Sequence, residues 1–461
     1  MRIVLLSGGA GKRLWPLSNE GRSKPFLRVM HDQTGRKLSM IQNTMDELEA
    51  IGFSDRTLIV ASDKHIQQVH EHLGDGVQSL VEPRQRDTFP AVALAATYLH
   101  DELGAAREEV IVVMPVDGHA DSTFYRLLPI LAQGVSDSNE AKLGLIGVKP
   151  LSASVKYGYI VPEAAFEVDK LLPIHKFQEK PDEQTAQDLI EQGALWNCGV
   201  FAFTVGYLLD LLQARGYPQD YASLNEMYDE LPARSFDYEV SEREGSGVCL
   251  PYEGHWTDMG TWDGVFTSMK EPLYGYGLLN GDCNGTHVIN ELSIPMVVSD
   301  IPNAFIIAGQ EGILISSKGS SSDIKQVLYQ LSEISPPVEV RTGGRCSLLD
   351  RQAIVDHGIT IETSRIHIPS TGQLTTHSKA MKTVWTLLMG SGNFVPTDLR
   401  HDELQCDEGQ SFVLDGAGRF TASAECVLIE IATLDNGELI EIRSPYENKR
   451  NDRQGNDLVR L

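Results

Sequence analysis

Positive charge, cysteine, aromatic residues and long apolar runs are all scarce in this chain, and each scarcity removes a class of protein. Across 461 residues, 39 Lys and Arg face 64 Asp and Glu, a net charge of −25. Aromatics make up 7% and are not interleaved with basic residues, so no nucleic-acid surface is expected. The six cysteines (198, 249, 283, 346, 406 and 426) form no CxxC pair. That excludes a disulfide framework or a zinc knuckle as the organising device. No stretch approaches the ~18 apolar residues of a membrane span. The apolar part of the opening MRIVLLSGGAGKRLW is too short for a secretory leader. The expectation is a cytoplasmic protein with no membrane partner. At 41% hydrophobic and 22% charged, the composition is that of a globular chain, long enough for two or three domains.

What is present begins with a β–α alternation over residues 1 to about 270. Apolar runs Ile3–Ser7, Thr57–Ala61, Val110–Met114 and Leu143–Gly147 read as strands, and Met40–Ile51 and Pro90–Glu102 as helices. Such alternation predicts an α/β domain with a mostly parallel sheet, whose ligands lie at the carboxyl ends of the strands. Short apolar runs punctuated by Asn, Gly and Ser at 280–320 predict a β-rich extension. A helix is expected near 321–331 and a linker at Ser335-Pro336-Pro337. Short strands with turns over about 340–445 predict an all-β domain, and the polar tail from Asn448 is expected to fray. The domain reading is 1–275, 276–335 and 336–461.

Chemistry concentrates where the scarce positive charge is gathered. Lys12, Arg13, Arg22 and Lys24 face only Glu20 across residues 12–24. Directly after the first strand comes SGGAGKRLWPLS at 7–18. Its Gly8, Gly9 and Gly11 let backbone N–H groups approach phosphate oxygens closely. Arg13 can bridge two such oxygens with its planar fork. Asp117 ends the apolar strand VIVVMPVD, a placement suited to holding Mg²⁺ against a triphosphate.

The long form GGAGKRLWPLS, with Lys24-Pro25-Phe26 after it, resembles the GGxGxRLWPLS…KxF signature of the sugar-phosphate guanylyltransferases, and Trp15 points to their mannose-1-phosphate branch. Further segments resemble that family in its order: EPRQRDTFPA at 82–91, YGYI at 157–160, FQEKP at 177–181, WNCGVF at 196–201 and WTDMGTW at 256–262. Each alone reads equally as a turn, a capped helix or a packed Trp; together and in order they do not. The resemblance implies a Rossmann-like nucleotidyltransferase domain that joins GTP and a sugar 1-phosphate. It assigns Glu82 and Arg86 to the nucleotide, and Gly158, Glu179, Lys180 and Asn197 to the sugar phosphate. Lys24 goes to the transferring phosphate, and Asp117 and Asp258 to Mg²⁺. Departures are Asp87 for the usual Asn, Phe89 for Ala, Cys198 for Ser, and a GHAD spacing after Asp117.

Residues 365–369 and 384–392 resemble the cupin-like module of the bifunctional guanylyltransferase/phosphomannose isomerases. That module needs a cluster of His and a carboxylate to hold a metal. Here only His377 stands in the matching stretch, with Lys379 where a second His is expected and Thr383 near the expected Glu; His367 and His401 lie apart in sequence. The domain is therefore read as non-catalytic, serving a homodimer or covering the catalytic domain. Alternatives held open are transfer to heptose, fucose or glucose 1-phosphate, use of another NTP, and a non-catalytic nucleotide-sugar-binding protein.

Overall fold

The computed structural model describes residues 1–8, 12–19, 22–31, 34–138, 140–167, 170–269, 271–309 and 311–318. Beyond these it describes 324, 328, 340–341, 344–354, 359–375, 380–396, 404–414 and 418–435. The chain divides into two compact units, Met1–Ser332 and Glu333–Leu461.

Nine strands build the central sheet of the first unit: β1 (Arg2–Leu6), β2 (Thr57–Ser62), β3 (Gln78–Glu82), β4 (Val110–Pro115), β5 (Leu143–Val148), β6 (Tyr159–Pro162), β7 (Leu172–Gln178), β8 (Leu195–Thr204) and β9 (Gly247–Tyr252). Their order is β3-β2-β1-β4-β8-β5-β9-β7-β6. β1 to β4 run parallel, as do β5 and β9. The long β8 enters antiparallel to both β4 and β5. Strands covered on both faces read as unbroken apolar runs, and β2 and β5 are buried throughout. Ile3 and Leu5 point into one core and Val4 into the other. Helices Met40–Ala50 and Leu127–Asp137 cover the first face, Thr88–Asp101 and Val205–Ala214 the second.

The helix starts follow from capping chemistry. Ser39 Oγ accepts from Gln42 N–H, and Gln42 Oε1 accepts from Ser39 N–H at 3.0 Å, the reciprocal pair of a capping box. Asp87 caps helix Thr88–Asp101 by accepting from Thr88 N–H at 2.8 Å, so that helix begins two residues before the expected Pro90.

Residues 273–317 continue in the first unit. His287–Asn290 lies parallel between Leu273–Gly275 and Ala304–Gly309, and Gly312–Ser317 closes the group antiparallel. The predicted helix at 321–331 falls outside the described residues except Ile324 and Leu328, both helical. The 335–337 linker and the tail from Asn448 also fall outside them.

The second unit is all β among its described residues. A six-stranded and a four-stranded sheet, antiparallel at every pairing, enclose a core that includes Trp385, Phe394 and Phe420. Trp385 Nε1 donates to buried Glu430 at 2.8 Å. This two-sheet sandwich is the form expected for a cupin-like domain. His377, Lys379 and His401 lie outside the described residues. Thr383 is buried. His367 sits at the surface with Nε2 2.6 Å from Glu425 Oε1.

Candidate active site

The phosphate-loop candidate leaves β1 at its carboxyl end. Ser7 N–H donates to Val60 O at 2.9 Å, which ties the loop's start to β2. Gly8 is exposed. A methyl group added there would lie 3.8 Å from Glu82 Oε2, so Glu82 stands beside the loop. Gly9 and Gly11 lie outside the described residues. Arg13 is exposed within a single 3₁₀ turn, Lys12–Leu14.

β4 delivers Asp117 next to this loop, because Val116 N–H donates to Leu6 O at the end of β1. A two-stranded ribbon then pairs Gly118–Ala120 with Trp256–Asp258 and sets Asp258 opposite Gly118. Residues 141 positions apart thus share one spot. The Lys24 ammonium contacts Asp117 Oδ2 and lies 3.9 Å from Asp258 Oδ1. Lys24 is placed by the buried Pro25 and Phe26 that follow it. Burial pushes the Asp258 carboxyl up. Lys24 opposes this, Asp117 reinforces it, and the Gly260 N–H bond and Arg13 oppose it. The Gly260 bond is 2.7 Å.

A second cluster forms where β6, β7 and β8 adjoin. Lys180 bonds Glu179; Glu179 is buried, and its N–H donates to Glu242 Oε1 at 2.9 Å. Asn197 Nδ2 donates to Asp237 Oδ1 at 2.6 Å, while its Oδ1 accepts from Gly199 N–H at 3.0 Å. The space left by Gly158 is filled by this cluster itself. A methyl there would lie 2.5 Å from Glu179 Oε2 and 3.0 Å from Phe177. Cys198 points into the core, its Sγ bonded to Ile146 O, and burial pushes its thiol up to about 12. An aromatic bridge links the two clusters. The Tyr157 ring lies 4.8 Å from Trp196 and 5.5 Å from Trp256, and Trp256 begins the strand that ends at Asp258.

Glu82 and Arg86 form a third group beside the loop. Buried Glu82 accepts from Tyr228 OH at 2.6 Å and from Arg86 N–H at 3.3 Å. Burial raises its carboxyl, and these two bonds pull it back. The Arg86 guanidinium donates to Leu231 O at 2.8 Å.

Asp237 is the residue that the motifs did not reveal. It opens a π-helical turn, Asp237–Ser241, a geometry that concentrates at functional sites and has no sequence periodicity to announce it. Burial first, and Glu179 second, push its carboxyl up to about 7; Asn197 and Lys180 pull against them. No group of three or more His, Cys, Asp or Glu forms a metal cluster among the described residues. The oxygen pair Asp117/Asp258, with a cation already between them, is what the fold offers a divalent ion. Among the described residues, no helix is long and apolar enough to cross a membrane.

Known proteins resemble this chain over the same span. An Escherichia coli mannose-1-phosphate guanylyltransferase is 25% identical over 492 aligned positions, which cover 96% of this chain and 98% of that protein. A Salmonella typhimurium protein of the same name is 28% identical, covering 71% and 72%. The crystal structure of mannose-1-phosphate geranyltransferase from Thermus thermophilus superposes with a TM-score of 0.60 at 26% identity, covering 72% of this chain and 99% of that one. Residues 2–273 match the nucleotidyl transferase family, a span that takes in all three groups of side chains, and the chain belongs to that family as a nucleotidyltransferase.

Proposed function

We propose that this chain transfers a guanylyl group from GTP to mannose 1-phosphate, giving GDP-mannose and pyrophosphate with Mg²⁺. The observation that carries the reading is the Asp117–Lys24–Asp258 cluster at the mouth of the glycine loop, joined by aromatic rings to the Glu179/Lys180/Asn197 cluster. The names of the Escherichia coli and Salmonella relatives support the choice of substrates.

Two carboxylates facing one another suit Mg²⁺, which is held by one or two carboxylates together with substrate phosphates. When bound, the ion supplies neutralisation of phosphate charge. Asp117 and Asp258 would hold it, and the neighbouring Lys24 ammonium binds the transferring phosphate. Gly8, Gly9, Gly11 and Arg13 receive the triphosphate, with Glu82 and Arg86 on the nucleotide side. Lys180 holds the attacking phosphate, and Glu179 and Asn197 accept from and donate to the sugar hydroxyls. The sugar phosphate is already anionic near neutrality, its second pKa lying around 6, so its attack needs no general base. A bond forms from its oxygen to the α-phosphorus, and the α–β bridging bond breaks to release pyrophosphate. The protein's task is alignment and charge matching.

The test is pyrophosphate release over a grid of four NTPs and several sugar 1-phosphates. GTP with mannose 1-phosphate should give the highest kcat/KM. A preference for UTP or dTTP overturns the base. A preference for heptose, fucose or glucose 1-phosphate overturns the sugar. Nucleotide binding without turnover on any pair would leave a nucleotide-sugar-binding protein instead.

A further inference from the structure

Away from these clusters, a cleft of ≈ 430 Å³ opens between the segment after Phe26 and the β-rich extension. Arg28 and Lys37 line one side, and Tyr274, Tyr276, Ile289 and Glu291 the other. Lys37 is presented by the hairpin that pairs Met30–His31 with Lys37–Leu38. Both cations are exposed, and among the described residues neither has an ion-pair or hydrogen-bond partner. In a chain of net charge −25, two neighbouring cations without a carboxylate partner stand out. Glu291, the acidic side chain of the lining, is already matched: Arg22 holds both its oxygens, at 2.6 and 3.0 Å. The floor is apolar, with Val29 and Ile289 buried. Tyr274 packs its ring against His31 at 4.5 Å, whereas Tyr276 is 64% exposed and offers a free face.

We propose that this cleft binds a nucleotide, with its phosphates on Arg28 and Lys37 and its base against Tyr276. The volume is that of a small-molecule site and far exceeds what a bare phosphate fills. An arginine fork and a lysine point charge suit phosphate oxygens, and an exposed aromatic face stacks any base. The cleft is separate from the Asp117/Asp258 site. Lys24 and Arg28 are divided by the buried run Pro25-Phe26-Leu27, so the two side chains serve different ligands. Glu291 connects the cleft to Arg22, two residues before Lys24, and so to the segment that enters the active site.

Equilibrium dialysis at low salt tests this, because weak surface charge pairs are least screened there. GDP, UDP and inorganic phosphate are titrated separately against the full chain, Arg28→Ala/Lys37→Ala, and Tyr276→Ala, each first shown to unfold at the parent midpoint. The parent should bind one more GDP, and one more UDP, per chain than the double variant. Tyr276→Ala should weaken that additional site about tenfold, as expected for loss of one stacking contact. Equal site counts in the parent and the double variant overturn the proposal. So does inorganic phosphate filling the additional site as tightly as the nucleotides, with no effect of Tyr276→Ala. The count is a difference between variants taken with two bases, so it stands apart from which NTP the active site prefers.

Discussion

Replacing Asp237 with Asn should stabilise the protein in neutral and alkaline solution and leave it unchanged in acid. Asp237 is buried beside Glu179, and its carboxyl keeps its proton up to about pH 7 against an ordinary value of 3.8. The folded state therefore holds more protons than the unfolded chain between those two values, and stability falls as pH rises through that window. A shift of about 3 in pKa at ~1.4 kcal/mol each amounts to about 4 kcal/mol at pH 8, an upper figure because Asn197 and Lys180 can adjust. Asn has nearly the same shape and no charge to bury. It can still accept from Asn197, which holds the carboxylate at 2.6 Å. Denaturant unfolding of parent and Asp237→Asn at pH 5 and pH 8 measures the difference. The variant's advantage should grow by roughly 2–3 kcal/mol between the two conditions. An advantage that is the same at both pH values, or that shrinks as pH rises, would refute the argument that burial and Glu179 govern this carboxyl.

Asp117→Asn and Asp258→Asn should each lower kcat on the order of 10²-fold, the scale of one lost charge-stabilising contact; near-normal turnover with normal Mg²⁺ dependence removes that residue from the metal site. Lys24→Ala should lower kcat more than it raises KM, and Lys180→Ala should mainly raise KM for the sugar phosphate; steady-state kinetics showing the opposite pattern exchanges the two roles. The C-terminal unit should not convert mannose 6-phosphate to fructose 6-phosphate with Zn²⁺, Mn²⁺ or Co²⁺, because a lone His does not make a catalytic metal site; turnover that disappears in His377→Ala contradicts this.

The strands with unbroken apolar runs could be read directly: β1, β2, β4 and β5 lie within a residue of their expected bounds. β8 could not, because LWNCGVFAFT mixes polar and glycine positions, and its antiparallel entry is set by pairing with β4 and β5 rather than by local pattern. The short runs at 287–290 and 304–309 were legible because Asn and Gly bound them. Motif order brought Lys24, Asp117 and Asp258 to notice, but spacing alone cannot show that Lys24 rests between the two carboxylates. Asp87 reads in the sequence as a departure from the usual Asn, with the helix expected from Pro90; that it caps a helix starting at Thr88 emerges from the structure. Asp237 stayed hidden because its importance comes from burial against Glu179, which is 58 residues away in sequence.

The extension after the central sheet reaches back to the glycine loop. Asn19 bonds Glu311, and Arg22 holds Glu291. Gly312, at a φ of 153°, lies against Trp15 so closely that an added methyl would sit 2.5 Å from the indole; one at Gly309 would meet Leu17 at 2.8 Å. A fragment ending at residue 273, where the family match stops, would keep every side chain assigned to substrate or metal. It would nonetheless lose the buttress behind RLWPLS and expose Leu17, now 2% accessible. The smallest piece of this chain able to hold its catalytic loop in shape therefore ends beyond Ser317, and gene truncations aimed at a minimal enzyme should be cut there or later.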